Sequence, residues 1–133
     1  MSFLKKIDTS KAPKALGPYS QAVVVINPSP TIFVSGQLPI DPETGKMIEG
    51  SIQLMTKRVI DNLEAILLEA GSSLEHVVRT DVFLKDLKDF ALMNEEYAKR
   101  FKGKLVPARQ TVQVSDLPLG SPIEISCIAI RSL

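Results

Sequence analysis

The chain has 133 residues, 44% hydrophobic and 23% charged, which supplies one domain with one sizeable core and lies well away from the composition of disordered chains. Sixteen Lys and Arg against fifteen Asp and Glu leave a formal net charge of +1, so no whole-molecule field draws in nucleic acid or an anionic membrane. One cysteine, Cys127, excludes an internal disulfide, and no stretch reaches the roughly 18 apolar residues of a membrane span.

Residues 1–14 carry Lys5 and Lys6 but no apolar run of signal-peptide length. This reads as a cytoplasmic protein, with an organellar location after loss of a transit peptide as the open alternative. The β-branched segment 21–27 (QAVVVIN) is broken by Asn27, Pro28, Ser29 and Pro30, and 31–38 (TIFVSGQL) resumes it, predicting two strands with a turn between them. Residues 39–45 (PIDPETG) form a turn, with Gly45 available for a positive φ. From 51 to 70, Ile52, Met55, Val59, Leu63, Ile66, Leu67 and Ala70 recur in steps of three and four, the period of an amphipathic helix, with Ser51 as N-cap and Gly71 just past the end.

A strand follows over 77–84 (VVRTDVFL), then a helix over 86–101 with Leu87, Phe90, Met93 or Asn94, and Tyr97 along one side. Residues 108–114 (ARQTVQV) and 123–131 (IEISCIAIR), separated by Pro118, Gly120 and Pro122, predict two further strands paired antiparallel. The order ββαβαββ gives a single α+β domain over 1–133, a mixed sheet with both helices on one face. In the last strand Ile123, Ile125, Cys127 and Ala129 point one way while Ile128 and Ile130 point the other. With no chain left to cover that second face, another copy of the protein is the economical cover; burial inside the monomer is the alternative. Cys127, within this apolar run, reads as a packing thiol.

Motifs for metal, phosphate or dinucleotide binding and for a Ser/His triad are absent, and the one histidine, His76, sits at the start of a strand as a surface or partly packed residue. What remains is polar residues within strands. Arg109 and Thr111 share one face of theirs, with Val112 and Val114 on the other. The Arg109 guanidinium suits a carboxylate through two parallel hydrogen bonds; the alternatives are an internal ion pair, with Glu124 the candidate, or a solvated edge arginine. Glu124, alone between Ile123 and Ile125, is the best general acid or base on offer, and its neighbours decide the sign of any pKa shift. Tyr19 in GPYSQA and Ser35 in FVSGQLP place hydroxyls beside glycines, where backbone can approach a ligand closely.

GPYSQA at 17–22, FVSGQLP at 33–39, NEEY at 94–97, PAR at 107–109 and IEI at 123–125 occur in an order and spacing that resemble the RidA/YjgF family over essentially the whole chain. The resemblance implies a chorismate-mutase-like fold assembled as a homotrimer, with ligand sites in clefts between subunits. It implies a deaminase, without metal or organic cofactor, that hydrolyses 2-aminoacrylate, 2-iminopropanoate and 2-iminobutanoate released by pyridoxal-phosphate enzymes to 2-keto acids and ammonia. Carried over, Arg109 holds the substrate carboxylate and Glu124 positions or activates water. Tyr19, Ser35, Gly36 and Asn94 line the cleft, with Thr111 beside Arg109. Two positions depart from the deaminase pattern: Thr111 stands where many members have cysteine, and Ser126 replaces the second glutamate of IEIE. Two other readings compete. One is an endoribonuclease inhibiting translation, against which stand one histidine, no tryptophan and near-neutral charge. The other is a non-catalytic trimer that binds small carboxylates or acts as a chaperone through the same cleft.

Overall fold

The computed structural model describes residues 4–26, 29–103 and 105–131. Eight regular elements follow one another: β1 (Leu4–Ile7), β2 (Ala22–Val25), β3 (Thr31–Gln37), α1 (Ile52–Glu69), β4 (Val77–Leu84), α2 (Phe90–Arg100), β5 (Ala108–Gln113) and β6 (Ile123–Ile130). The ββαβαββ core of the expected order is present, preceded by β1, which the sequence reading did not include. A four-residue strand with two lysines carries no pattern of its own; its antiparallel pairing with β2 defines it.

The helix over 52–69 ends where the sequence dictates. The Ser51 hydroxyl accepts from the Leu54 N–H at 3.2 Å, satisfying one of the first free donors. At the other end Gly71 takes φ +80°, its N–H donating to Leu68 O and that of Ser72 to Leu67 O, the paired closure of a Schellman motif. α2 begins later than the periodicity predicts, because Leu87–Asp89 winds as a 3₁₀ turn. There the Asp86 carboxylate accepts from Lys88 N–H and the Gln113 side chain from Leu87 N–H. Gly45 lies at φ +71° in the turn expected of it.

The main sheet has the order β3-β6-β4-β5. β6 pairs antiparallel with both β3 and β4, and β5 pairs parallel with β4. One pairing expected from sequence adjacency is therefore corrected. β5 and β6 are not partners, since β4 lies between them; the α2 crossover returns the chain parallel to β4 and places β5 at the outer edge. β2 and β3 are in different sheets, and the Asn27 and Pro28 part of the turn proposed between them lies outside the described residues.

Both helices cover one face of this sheet. Val59, Ile60, Leu63 and Leu67 of α1 and Met93 and Tyr97 of α2 pack with Val82, Leu84, Ile123 and Ile125, all fully buried. Tyr97 stacks on Phe101 at 4.5 Å, and its hydroxyl is hydrogen-bonded to Thr80 at 2.7 Å. Burial pushes the Tyr97 pKa up to about 12, so that bond keeps its proton throughout the physiological range. Cys127 is a packing thiol as expected, 2% exposed and raised by burial to about 12. The other face is open in the single chain: Phe33 on β3 is 76% exposed and Val112 on β5 42%. Among the described residues no helix is long and apolar enough to cross a membrane.

Candidate active site

The seven residues singled out from the sequence separate into two clusters. Arg109 pairs across the sheet with Thr80, which pairs with Cys127; cross-strand partners share a face, so Arg109 and Thr111 project to the helix-covered side at the β5 edge. There the Arg109 guanidinium donates through Nη1 to Asn94 Oδ1 at 2.5 Å. Three rings surround it, with Cζ 4.7 Å from the centroid of Tyr97, 5.7 Å from Phe90 and 5.8 Å from Tyr19. The β-carbon position of Gly17 lies 3.6 Å from Arg109 Nη2, in ordinary contact range, so the Gly17 backbone closes one side of the cation's surroundings.

α2 supplies three of these neighbours because Phe90, Asn94 and Tyr97 stand four and three residues apart on one helix face. Tyr19 comes from the loop before β2. Its hydroxyl accepts from Leu16 N–H at 3.2 Å, and Ser20 ties the loop to the strand entry by donating to Pro107 O and Val106 O.

Arg109 is half-buried and forms no ion pair among the described residues. Burial lowers its pKa while Tyr97 and Tyr19 raise it, and a guanidinium stays charged under all these influences. The rings offset part of the desolvation through their π faces. They supply no negative charge, so the fork remains available to an anion. Beside it, Thr111 Oγ1 is buried without a hydrogen-bond partner, an orphan that costs stability unless a ligand meets it.

Glu124 belongs to the opposite face. It pairs with Phe83, which pairs with Val112, the alternate set to Thr80 and Arg109. An ion pair between Arg109 and Glu124 within one chain is thereby excluded, because the sheet separates them. Glu124 instead lies over Gly36. The register between β3 and β6 slips between Val34 and Gln37, so that Ser35 and Gly36 together oppose Ser126, a bulge that bends the strand. A β-carbon at Gly36 would fall 2.3 Å from Glu124 Oε2, so only glycine admits the carboxylate there.

Arg109, Asn94, Tyr19 and Thr111 thus form one half-site, and Ser35, Gly36 and Glu124 the other. The sequence reading grouped all seven and missed Gly17, Phe90 and Tyr97 as surroundings of the cation, although the spacing on α2 had marked Phe90 and Tyr97 as one face. His76 takes no part; its Nδ1 is 2.9 Å from Ser73 Oγ. Among the described residues no group of His, Cys, Asp and Glu side chains is placed to hold a metal ion.

The profile of the family described as Endoribonuclease L-PSP matches residues 9–131. A RutC family protein of Pyrococcus abyssi is 56% identical over 125 residues, covering 94% of this chain and 95% of its own. The 2-iminobutanoate/2-iminopropanoate deaminase of Mus musculus is 46% identical over 127 residues, covering 96% of this chain and 91% of its own. Among solved structures, RidA from the Antarctic bacterium Psychrobacter sp. PAMC 21119 superposes with a TM-score of 0.71 at 44% identity, covering 95% of this chain and 98% of that one.

Proposed function

The chain belongs to the RidA/YjgF family, whose profile carries the description Endoribonuclease L-PSP, and from this footing we propose that it hydrolyses 2-aminoacrylate, 2-iminopropanoate and 2-iminobutanoate to 2-keto acids and ammonia. The observation that carries the reading is the half-buried Arg109 guanidinium, held by Asn94 among three rings and, among the described residues, without a carboxylate to neutralise it. A small substrate carboxylate fits the fork bidentately, and Thr111 Oγ1 gains the partner that the protein itself does not give it. Near-neutral charge favours such a small acid over an RNA strand.

The chemistry balances with water alone. 2-Aminoacrylate gains a proton at its terminal carbon and becomes the imine, whose protonated C=N carbon is electrophilic. Water adds to that carbon, one of its protons passing to a base. The resulting carbinolamine loses ammonia as the C–N bond breaks, its hydroxyl proton leaving with the nitrogen as ammonium, and the keto acid remains. Glu124 is the base and then the acid, taking the water proton and returning it to the departing nitrogen. Clamping the carboxylate at Arg109 removes orientational freedom from the addition step.

Because Arg109 and Glu124 lie on opposite faces of one sheet, the two act together only if Glu124 comes from a neighbouring copy. We place the site between subunits of a homotrimer, the Arg109 edge of one meeting the Gly36 bulge of the next. Heterologous contacts of this kind close into a ring, and they cover the open face bearing Phe33. Ser35, Gly36 and Glu124 then complete the cleft that Tyr19, Asn94, Arg109 and Thr111 begin. Cytoplasm, where pyridoxal-phosphate enzymes release such imines, is the compartment this function fits.

The test is keto acid release from 2-aminoacrylate generated in place by a serine dehydratase, corrected for spontaneous hydrolysis. Acceleration proportional to added protein is expected; binding of 2-ketobutyrate without acceleration of any imine would instead favour the non-catalytic carboxylate-binding reading. Thr111→Val gives a finer prediction. Removing a hydroxyl that is orphaned in the free protein is neutral or stabilising, so Tm holds or rises. Substrate binding weakens by about 1 kcal/mol, seen as a several-fold rise in KM.

A further inference from the structure

Leu16 is 85% exposed, the most exposed of the large hydrophobic residues described, yet it is not on a loose loop. Its N–H is bound by the Tyr19 hydroxyl, Tyr19 N–H donates to Gly17 O at 2.8 Å, and Gln21 ties the preceding segment through Thr9 and Pro13. The turn therefore presents an apolar side chain to water from a held backbone position, next to Gly17 on the rim of the Arg109 half-site. An apolar side chain held there gains free energy where an apolar surface receives it.

A receiving surface exists at the other edge of the sheet. A groove of about 400 Å³ runs between α1 and the segment leaving β3, walled by Leu38, Ile40, Pro42, Ala65 and Ile66 and starting at Gly36. Ile66 is 38% exposed in it. The groove is also held in shape, since Asn62 Nδ2 donates to both Leu38 O and Ile40 O. Gly36 belongs at once to the groove and to the Glu124 half-site, just as Leu16 adjoins Gly17 of the Arg109 half-site. If the two half-sites meet between copies, Leu16 of one copy comes near the Gly36 end of the groove of the next.

We infer that Leu16 docks into the groove between α1 and β3 of a neighbouring copy of this chain and acts as the apolar anchor that sets the two half-sites in register. The inference rests on the shared site proposed above and deepens it, because it names the contact by which one copy locates the other. Burying a leucine side chain here removes apolar area from both partners, and because its backbone is already held, docking orders little beyond the side chain.

The full-length chain carrying Leu16→Cys together with Ala65→Cys tests it, treated with a short bismaleimide beside each single variant. Cys127 is 2% exposed and does not compete. The expected result is chains cross-linked to one another in the double variant, absent from both single variants, with light scattering showing the same assembly as the unmodified protein. An intact assembly with no interchain product overturns the docking of Leu16 and leaves the shared site standing. Single chains at every concentration overturn both.

Discussion

Arg109→Ala lowers kcat/KM for 2-iminopropanoate by about 150- to 25,000-fold, the loss expected when two charge-assisted hydrogen bonds of roughly 1.5–3 kcal/mol each are removed from a bound carboxylate. Arg109→Lys keeps the positive charge but not the planar fork, and restores only part of this. Neither change is expected to unfold the protein. The guanidinium makes one side-chain hydrogen bond, to Asn94, and no ion pair among the described residues, so its removal leaves no partner charge stranded. Steady-state kinetics beside thermal melts checks this: a large loss of kcat/KM at nearly constant Tm is the expected pattern. An Arg109→Ala enzyme within a few-fold of the unmodified one would remove the carboxylate clamp from the mechanism.

Glu124→Gln is expected to lower kcat by about 100- to 10,000-fold, the range for loss of a general acid or base, with KM changed far less because the carboxylate anchor persists. Gly36→Ala provides a second route to the same defect. Its methyl group would stand 2.3 Å from Glu124 Oε2 and 2.7 Å from Cδ, so the carboxylate must swing away while its charge remains. A drop in kcat for both variants, with the assembly unchanged by light scattering, separates the position of the carboxylate from its mere presence. Full activity in Glu124→Gln would assign water activation to another group.

Local physics made much of this fold legible in the sequence. The step of three and four from Ile52 to Ala70, with Ser51 and Gly71 at its ends, located α1 to the residue, because caps and apolar period agree there. Alternation within β5 put Arg109 and Thr111 together, and alternation within β6 separated Ile123, Ile125 and Cys127 from Glu124. Relations between strands were less accessible. Adjacency in sequence pointed to β5 pairing with β6, whereas the α2 crossover sets β5 parallel to β4. Period-two patterns say which residues of one strand share a face, but not which face of the sheet that is relative to another strand. For that reason Arg109 and Glu124 read as a possible pair, and only the register through Thr80 and Phe83 shows them back to back. The bulge at Ser35 and Gly36 was equally hidden, since it is a relation between β3 and β6, where Gly36 leaves room for the Glu124 carboxylate.

That back-to-back placement gives the mechanism its most exposed commitment: no single chain can complete a site. Arg109→Ala and Glu124→Ala proteins, each inactive alone, should therefore be unfolded together, refolded as a mixture and assayed for imine hydrolysis. In a ring of three with sites between copies, each mixed assembly contains one interface that joins an intact Arg109 to an intact Glu124. Random mixing in equal amounts then recovers roughly a quarter of the unmodified activity. Mixed assemblies that form and stay as inactive as their parents, while the unmodified protein refolds to full activity, would contradict the shared site.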